Sequence, residues 1–281
     1  SDQGGTVSGR LSYSNPNLQQ IPARNKEFGN KIRSLFLPEE GRQWGSFDYS
    51  QQEPRLVAHY AASVDNTFEG AAEFIEAYKN ESADFHQIVA DMAGITRTQA
   101  KTINLGLFYG MGKAKLAKEL GITKDKAENL LRQYGERVPF VKKLATDVSS
   151  SASKYGFIRT IRGRKCRFDM WEPSTFGMNK AMQYEEAKAI YGNNIRRAFT
   201  YKALNRLIQG SAADQTKQAM IDCYKAGFKP LLQIHDELCF SLNNENDIPE
   251  VKEIMENAIE TLKVPSKVDV AIGKSWGEAK E

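Results

Sequence analysis

The sequence predicts an α+β fold in which a discontinuous, sheet-bearing body encloses a mostly helical insertion. Two observations point there. Apolar positions recur at helical spacing through the middle of the chain, over 83–92, 97–109, 113–120, 123–134, 137–153 and 179–198, and again over 201–226 and 248–262. Short β-rich runs bounded by Gly, Pro or Asn lie at 44–50, 157–163, 230–235, 237–242 and 267–272, most of them toward the two ends of the chain.

Bulk properties exclude more than they assign. With 281 residues, 41% of them hydrophobic, the chain can bury a sizeable core as one large domain or two interleaved ones. Its formal charge is only +4, from 39 Lys and Arg against 35 Asp and Glu, so any basic surface for a polyanion must be local. Cys166, Cys223 and Cys239 stand far apart without a CxxC pair, which argues against a zinc site or a disulfide framework and fits a reducing compartment. No run reaches the roughly 18 apolar residues of a membrane span, and a cytoplasmic location is expected.

The first strand, WGSFDYS, ends on Asp48, where an apolar run gives way to SQQEPRL. A carboxylate there can project from a sheet edge into a cleft, although Asp is also a favoured turn residue. Residues 230–242 read as a hairpin turning tightly at His235-Asp236, with apolar residues running up to the acids on both sides. Carboxylates in such a run lose hydration and are neutral, paired or holding a cation. A second strand-end Asp would complete a pair suited to Mg²⁺, which takes one or two carboxylates together with substrate phosphates. Two such ions roughly 3.5–4 Å apart serve in-line phosphoryl transfer.

In RTQAKTINLGLFYG, Thr96 is the expected N-cap, with Gln99 three residues on. Arg97, Lys101, Leu105 and Tyr109 then follow at i+4 intervals along one face. An Arg and a Lys one turn apart suit a polyphosphate, and the next two turns offer an apolar shelf for a base; a solvated helix with an apolar edge has the same pattern.

Taken in order, five segments resemble family A DNA polymerases, the group of bacterial DNA polymerase I and many phage replicative enzymes. They are SGRLSYSNPNLQQIPAR (8–24), DYSQQEPR (48–55), RTQAKTINLGLFYG (97–110), NRLIQGSAAD (205–214) and HDE (235–237). The resemblance implies an antiparallel-sheet polymerase palm over 1–65 and 201–281 and helical fingers over 66–200. It implies template-directed addition of deoxynucleoside triphosphates to a primer 3′-OH, using two Mg²⁺ ions. Asp48 and Asp236 would be the metal-binding aspartates, with the backbone carbonyl of Tyr49 and an auxiliary Glu237. Arg97 and Lys101 would hold the triphosphate, Lys101 also protonating the departing pyrophosphate. His86 would touch the same phosphates, Gln51, Leu105 and Tyr109 would line the nucleotide, and the helix bearing Arg97 and Lys101 would close over it. Glu53 would exclude a ribose 2′-OH, while Ser50 and Glu53 also read as a capping box with Pro54 at the first helical position. Arg10, Asn17, Gln19, Asn205, Gln209 and His235 would face the primer terminus and minor groove of the DNA, where acceptors are shared by all correct pairs. Arg24 and Arg33 read as surface or duplex-backbone cations.

Departures favour a phage-like member. Leu105 stands where the family commonly has Phe or Tyr, Tyr201 where Arg is frequent, Gln52 and Pro54 replace aliphatics, and 166–200 is longer than the bacterial pattern. Thumb and exonuclease sequence expected upstream is absent, so the chain is expected to be a fragment or to take its thumb from a separate polypeptide. Three alternatives stay open: a single-subunit phage-type RNA polymerase, a two-metal nuclease, and an inactive polymerase-like module that binds DNA or a partner.

Overall fold

A computed structural model describes residues 6–21, 26–63, 71–79, 84–108, 111–175, 177 and 180–280. The chain divides into two units: residues 1–56 with 210–281, and residues 57–209. The boundaries fall within α2 (Gln52–Ser63) and α10 (Ala203–Lys225).

The first unit is built on a four-stranded antiparallel sheet of β1 (Gln43–Tyr49), β6 (Pro230–Ile234), β7 (Glu237–Leu242) and β8 (Val268–Gly273), in the order β6-β7-β1-β8. Pro230 is tolerated because β6 lies at an edge. Strand alternation gives the sheet two buried faces. Phe47, Tyr49, Leu238, Phe240, Leu242 and Val268 pack with Ala219 and Cys223 of α10 and with Val251 and Met255 of α11 (Asp247–Glu256). On the other face, Trp44 and Cys239 pack with Leu232, Trp276 and Ala279. The Tyr49 hydroxyl donates to the Met255 carbonyl at 2.6 Å, tying β1 to α11.

The same unit holds α1 (Lys26–Arg33), and α2 and α10 meet there through a buried polar cluster. Gln52 Nε2 lies 3.1 Å from Thr216 Oγ1, 3.2 Å from Gln215 Oε1 and 3.3 Å from the Ala212 carbonyl; Gln215 Nε2 in turn donates to Ser266 Oγ at 2.8 Å. The unusual Gln52 is therefore a polar staple whose donors have buried acceptors. Pro54 is the third residue of α2, not the first, and the expected capping box does not close: the Ser50 N–H donates to the Lys267 carbonyl, and Glu53 pairs with Arg10.

The second unit is mostly helical: α3 (Ala71–Lys79), α4 (Phe85–Ala93), α5 (Arg97–Phe108), α6 (Lys113–Leu120), α7 (Lys124–Arg137), α8 (Pro139–Tyr155) and α9 (Tyr184–Tyr191). Two small antiparallel strand pairs join them, β2 (Phe157–Arg159) with β3 (Lys165–Arg167), and β4 (Trp171–Pro173) with β5 (Ile195–Arg197), the second pair flanking α9 in the chain. The capping box at Thr96 does form: Gln99 N–H donates to Thr96 Oγ1 at 3.2 Å, and Thr96 N–H to Gln99 Oε1 at 3.0 Å.

The helix expected over 179–198 is limited to α9, because Gly192 at φ +60° stops it. Residues 195–197 extend instead, with Arg196 reaching Glu172 at 2.9 Å across the strand pair. The strand expected over 157–163 ends at Arg159, where the chain turns back through Gly163 at φ +78°. The helix expected to 262 stops at Glu256, and the Asn257 side chain covers the Glu253 carbonyl.

Gly277 marks a close approach that positions the last turn of the chain. A Cβ there would strike Ser34 Oγ and come within 2.8 Å of the backbone at Asn30 O and Ser34 N. Gly277→Ala is expected to lower stability by about 1–3 kcal/mol through this overpacking, read as a reduced midpoint in urea unfolding.

Candidate active site

The register of β1 sets the electrostatics of the first unit. Asp48 pairs with Glu237 of β7 on one side and with Asp269 of β8 on the other. Directly opposed residues share a sheet face, so Asp48 and Glu237 fall on the Trp44–Trp276 side. His235 and Asp236 form a two-residue loop between Ile234 and Glu237, as the sequence predicts, with His235 at φ +55° as a primed hairpin turn requires. Asp48, Asp236 and Glu237 line one cavity of about 330 Å³, together with Gln19, Arg33 and Lys280.

Three groups hold Glu237 in place. Trp276 Nε1 donates to Oε1 at 3.2 Å, Cys239 Sγ lies 3.4 Å from Oε1, and Lys280 Nζ lies 3.1 Å from Oε2. Lys280 Nζ also lies 3.6 Å from Asp48 Oδ2. Burial, then the charge of Asp236, push the Asp48 carboxyl up to about 6, against the attraction of Lys280. Burial also raises Asp236, with Glu53 and Glu237 adding repulsion and Arg10 opposing them. Lys280 is raised in turn: burial alone would lower it, but Glu237 and Asp48 prevail. Tyr49 turns its side chain into the opposite core face, leaving its backbone at the strand end.

The donor set fits a hard divalent ion held jointly with phosphate. Two partly desolvated Asp side chains face one cavity and repel each other, an anionic site that a cation would neutralise. No group of three or more His, Cys, Asp and Glu able to hold a metal by themselves occurs among the described residues. Asp48 and Asp236 would supply part of a Mg²⁺ coordination shell that waters and substrate oxygens complete.

Around this cavity, the Arg10 guanidinium pairs with Glu53 Oε1. Arg10 and His235 also line a small cavity with Gln52, Gln233 and Thr216, and the buried Gln233 Oε1 has no hydrogen-bond partner among the described residues. Gln51 enters α2 at φ +51°. Asn17 caps the short 3-10 turn Leu18–Gln20 by accepting from Gln19 N–H at 3.1 Å, and Gln19 Nε2 donates to the Leu11 carbonyl at 3.0 Å. Arg33 stacks over Trp276 at 5.4 Å, on the wall of the acid cavity. Arg24 and Tyr109 lie outside the described residues.

The second unit carries a separate cationic group. Asp84 caps α4, accepting from His86 N–H at 2.9 Å and Gln87 N–H at 3.2 Å. The same carboxylate receives Arg97 through Nε at 2.8 Å and Nη2 at 2.7 Å. Burial would raise Asp84, but these hydrogen bonds hold it below the usual carboxylate range. Lys101 is exposed one turn along α5 from Arg97, and Leu105 follows on the same helix. Burial lowers the pKa of His86, Asp84 opposing and Arg97 and Lys101 reinforcing. Behind His86, the fully buried Asn104 places Nδ2 3.2 Å from His86 Nδ1 and accepts from the Tyr134 hydroxyl through Oδ1. Burial keeps that hydroxyl protonated. With Oδ1 taken by a donor, Nδ2 must donate, which makes His86 Nδ1 the acceptor and Nε2 the N–H. Asn205 and Gln209 lie one turn apart on α10, both partly buried, and Tyr201 is exposed at its start.

Several residues of these groups escape sequence reasoning. Lys280 and Trp276 come from the far C-terminus and Gln233 from the β6 interior; Asp84 has a cap signature in ADFHQ, but nothing local marks Asn104 or Tyr134 as the support of His86.

The sequence profile of DNA polymerase family A matches residues 1–278. The chain belongs to DNA polymerase family A. It is 39% identical to the DNA-directed DNA polymerase of Pseudomonas phage M6, over 98% of this chain and 44% of that protein. With DNA polymerase I of Bacillus subtilis (strain 168) it shares 36% identity over 98% of this chain and 30% of that protein. The POL domain of Pol1 from M. smegmatis, in complex with DNA primer-template and dNTP, superposes with a TM-score of 0.75 at 33% identity, covering 98% of this chain and 47% of that one. The chain thus spans less than half the length of these relatives.

Two measurements check this electrostatic arrangement. An acid whose folded pKa is raised binds its proton more tightly when folded, so its favourable contribution is present below about pH 4 and lost as pH rises through about 6. In EDTA, the melting temperature should therefore fall across that window, and Asp48→Asn should flatten the fall and melt higher at pH 8. Long-range ¹H–¹⁵N spectra should show His86 as the Nε2–H tautomer, and Asn104→Asp, which turns a donor into an acceptor, should move the proton to Nδ1.

Proposed function

We propose that this chain is the catalytic part of a template-directed DNA polymerase, adding deoxynucleoside triphosphates to a primer 3′-OH. The observation that carries the reading is the pairing of Asp48, at the end of β1, with Asp236, in the β6–β7 turn, on one acidic cavity. Asp48 and Asp236, with the Tyr49 carbonyl, are the groups to hold two Mg²⁺ ions. When bound, these ions lower the pKa of the attacking hydroxyl and neutralise charge on the leaving phosphates.

The rest falls to the chain's own side chains. Arg97 and Lys101 hold the triphosphate, Arg97 by exchanging Asp84 for phosphate oxygens that accept from the same guanidinium N–H groups. Lys101 delivers a proton to the departing pyrophosphate as charge develops on it. Neutral His86, offering Nε2–H, donates to the same phosphates without adding net charge. Gln51, Leu105 and Tyr109 are assigned to nucleotide binding from their places in the sequence motifs. Glu53, fixed by Arg10, fills the space a ribose 2′-OH would need. Arg10, Asn17, Gln19, Asn205, Gln209 and His235 contact the primer end and the minor groove. Glu237, with both oxygens engaged by protein donors, acts on Asp48 through Lys280. Residues 66–200 are the fingers and residues 1–65 with 201–281 the palm, bounds that lie within about ten residues of the two compact units. A separate polypeptide supplying a thumb or exonuclease would add phosphate contacts and so tighten DNA binding.

Primer extension with Mg²⁺ tests the reading directly. The chain should extend a primer in the presence of dNTPs, and Asp236→Ala should reduce the rate at least 10³-fold, on the order of the loss of a major electrostatic group. Extension that survives this change would sink the assignment of the acid pair. Glu53→Ala should raise ribonucleotide incorporation relative to deoxynucleotide by at least tenfold, about the effect of one lost steric contact.

A further inference from the structure

Lys280 stands out because it is neither a proposed metal ligand nor a substrate contact, yet it reaches both Asp48 and Glu237. It ends a 3-10 turn, Glu278–Lys280, and its ammonium lies 3.6 Å from Asp48 Oδ2 and 3.1 Å from Glu237 Oε2. Its placement is built by the fold. Trp276 is packed against Phe36 with ring centroids 5.4 Å apart and against Trp44, its backbone N–H donates to the Phe36 carbonyl at 3.0 Å, and Gly277 allows the close approach to Ser34. The turn that follows brings its side chain to the acid end of β1 and β7.

We propose that Lys280 is a resident counter-cation of the acid site, compensating Asp48 and Glu237 while no divalent ion is bound and competing with that ion for Asp48. The inference rests on the reading of Asp48 and Asp236 as the metal-holding pair. Asp48 Oδ2, the oxygen nearest Lys280, belongs to a carboxylate that would ligate the ion, so ammonium and ion act on the same group. A fixed positive charge beside a cation site weakens cation binding; a lysine that only oriented Asp48 would strengthen it. Glu237, whose Oε1 is held by Trp276, keeps the ammonium at the site when Asp48 is engaged elsewhere. Lys280 would thereby limit occupancy of the site to conditions in which substrate phosphates add their own negative charge.

The test uses the whole chain and Mn²⁺ alone, counted as free ion by electron paramagnetic resonance. Lys280→Met keeps the aliphatic stem and removes the charge. It should bind Mn²⁺ several-fold more tightly than the unmutated chain, while Lys280→Arg should bind as the unmutated chain does. In EDTA, Lys280→Met should melt at lower temperature, and adding Asp48→Asn to it should recover the loss. Unchanged or weaker Mn²⁺ binding by Lys280→Met overturns the inference and makes the lysine an orienting group only. Mn²⁺ binding that Asp48→Asn leaves untouched would instead remove the metal-site reading beneath it, and the two failures are told apart by that variant.

Discussion

Two carboxylates at the end of a buried antiparallel strand are the constraint on which the first unit depends. Backbone pairing fixes Asp48 opposite Glu237, and the two-residue turn fixes Asp236 next to them, so the acids have no freedom to separate. Their mutual repulsion and lost hydration have to be met by groups brought to them. The C-terminal segment does this with Trp276 and Lys280, and the Cys239 thiol, which burial keeps protonated, turns toward Glu237 from the same strand face. A cavity of this kind is well suited to a reaction whose cation arrives from outside and leaves with product.

The helical unit follows the opposite logic, in which donors are oriented in advance and held by weak or exchangeable acceptors. Asp84 is at once the cap of α4 and the partner of Arg97, so the start of one helix fixes a cation on another. His86 is aimed by a buried chain of two residues, neither of which reaches solvent. Pre-ordering of this sort lowers the entropy lost when an anion binds, because the rotamers are already selected.

Much of this was legible in the sequence, for identifiable reasons. The helices α4 to α8 and the β6–β7 hairpin have strong periodicity and clear stops, and the Thr96 capping box is a local pattern with a local cause. Motifs carried by neighbouring residues, such as His235-Asp236-Glu237, stayed intact in the fold. What escaped is non-local. The pairing of β4 with β5 joins residues more than twenty apart and overrides the helical signal near 195. Glu53 abandons its local cap for Arg10, forty-three positions away, since an ion pair competes well with a cap that the Lys267 carbonyl makes unnecessary. Lys280 has no pattern at all; only the sheet register reveals what it faces.

The amide staple at Gln52 bears on how this chain can be recombined with its relatives. Its donors are shared among the Ala212 carbonyl, Gln215 and Thr216, and Gln215 continues the chain of bonds to Ser266. Segments 48–55 and 205–214 look like independent cassettes, yet the first is locked to residues just past the end of the second. A chimera that imports an aliphatic residue at position 52 without recoding 215 and 216 would leave buried polar groups facing hydrocarbon. The viable crossover points therefore lie outside this quartet, and Gln52, Gln215, Thr216 and Ser266 would have to be inherited together as one block.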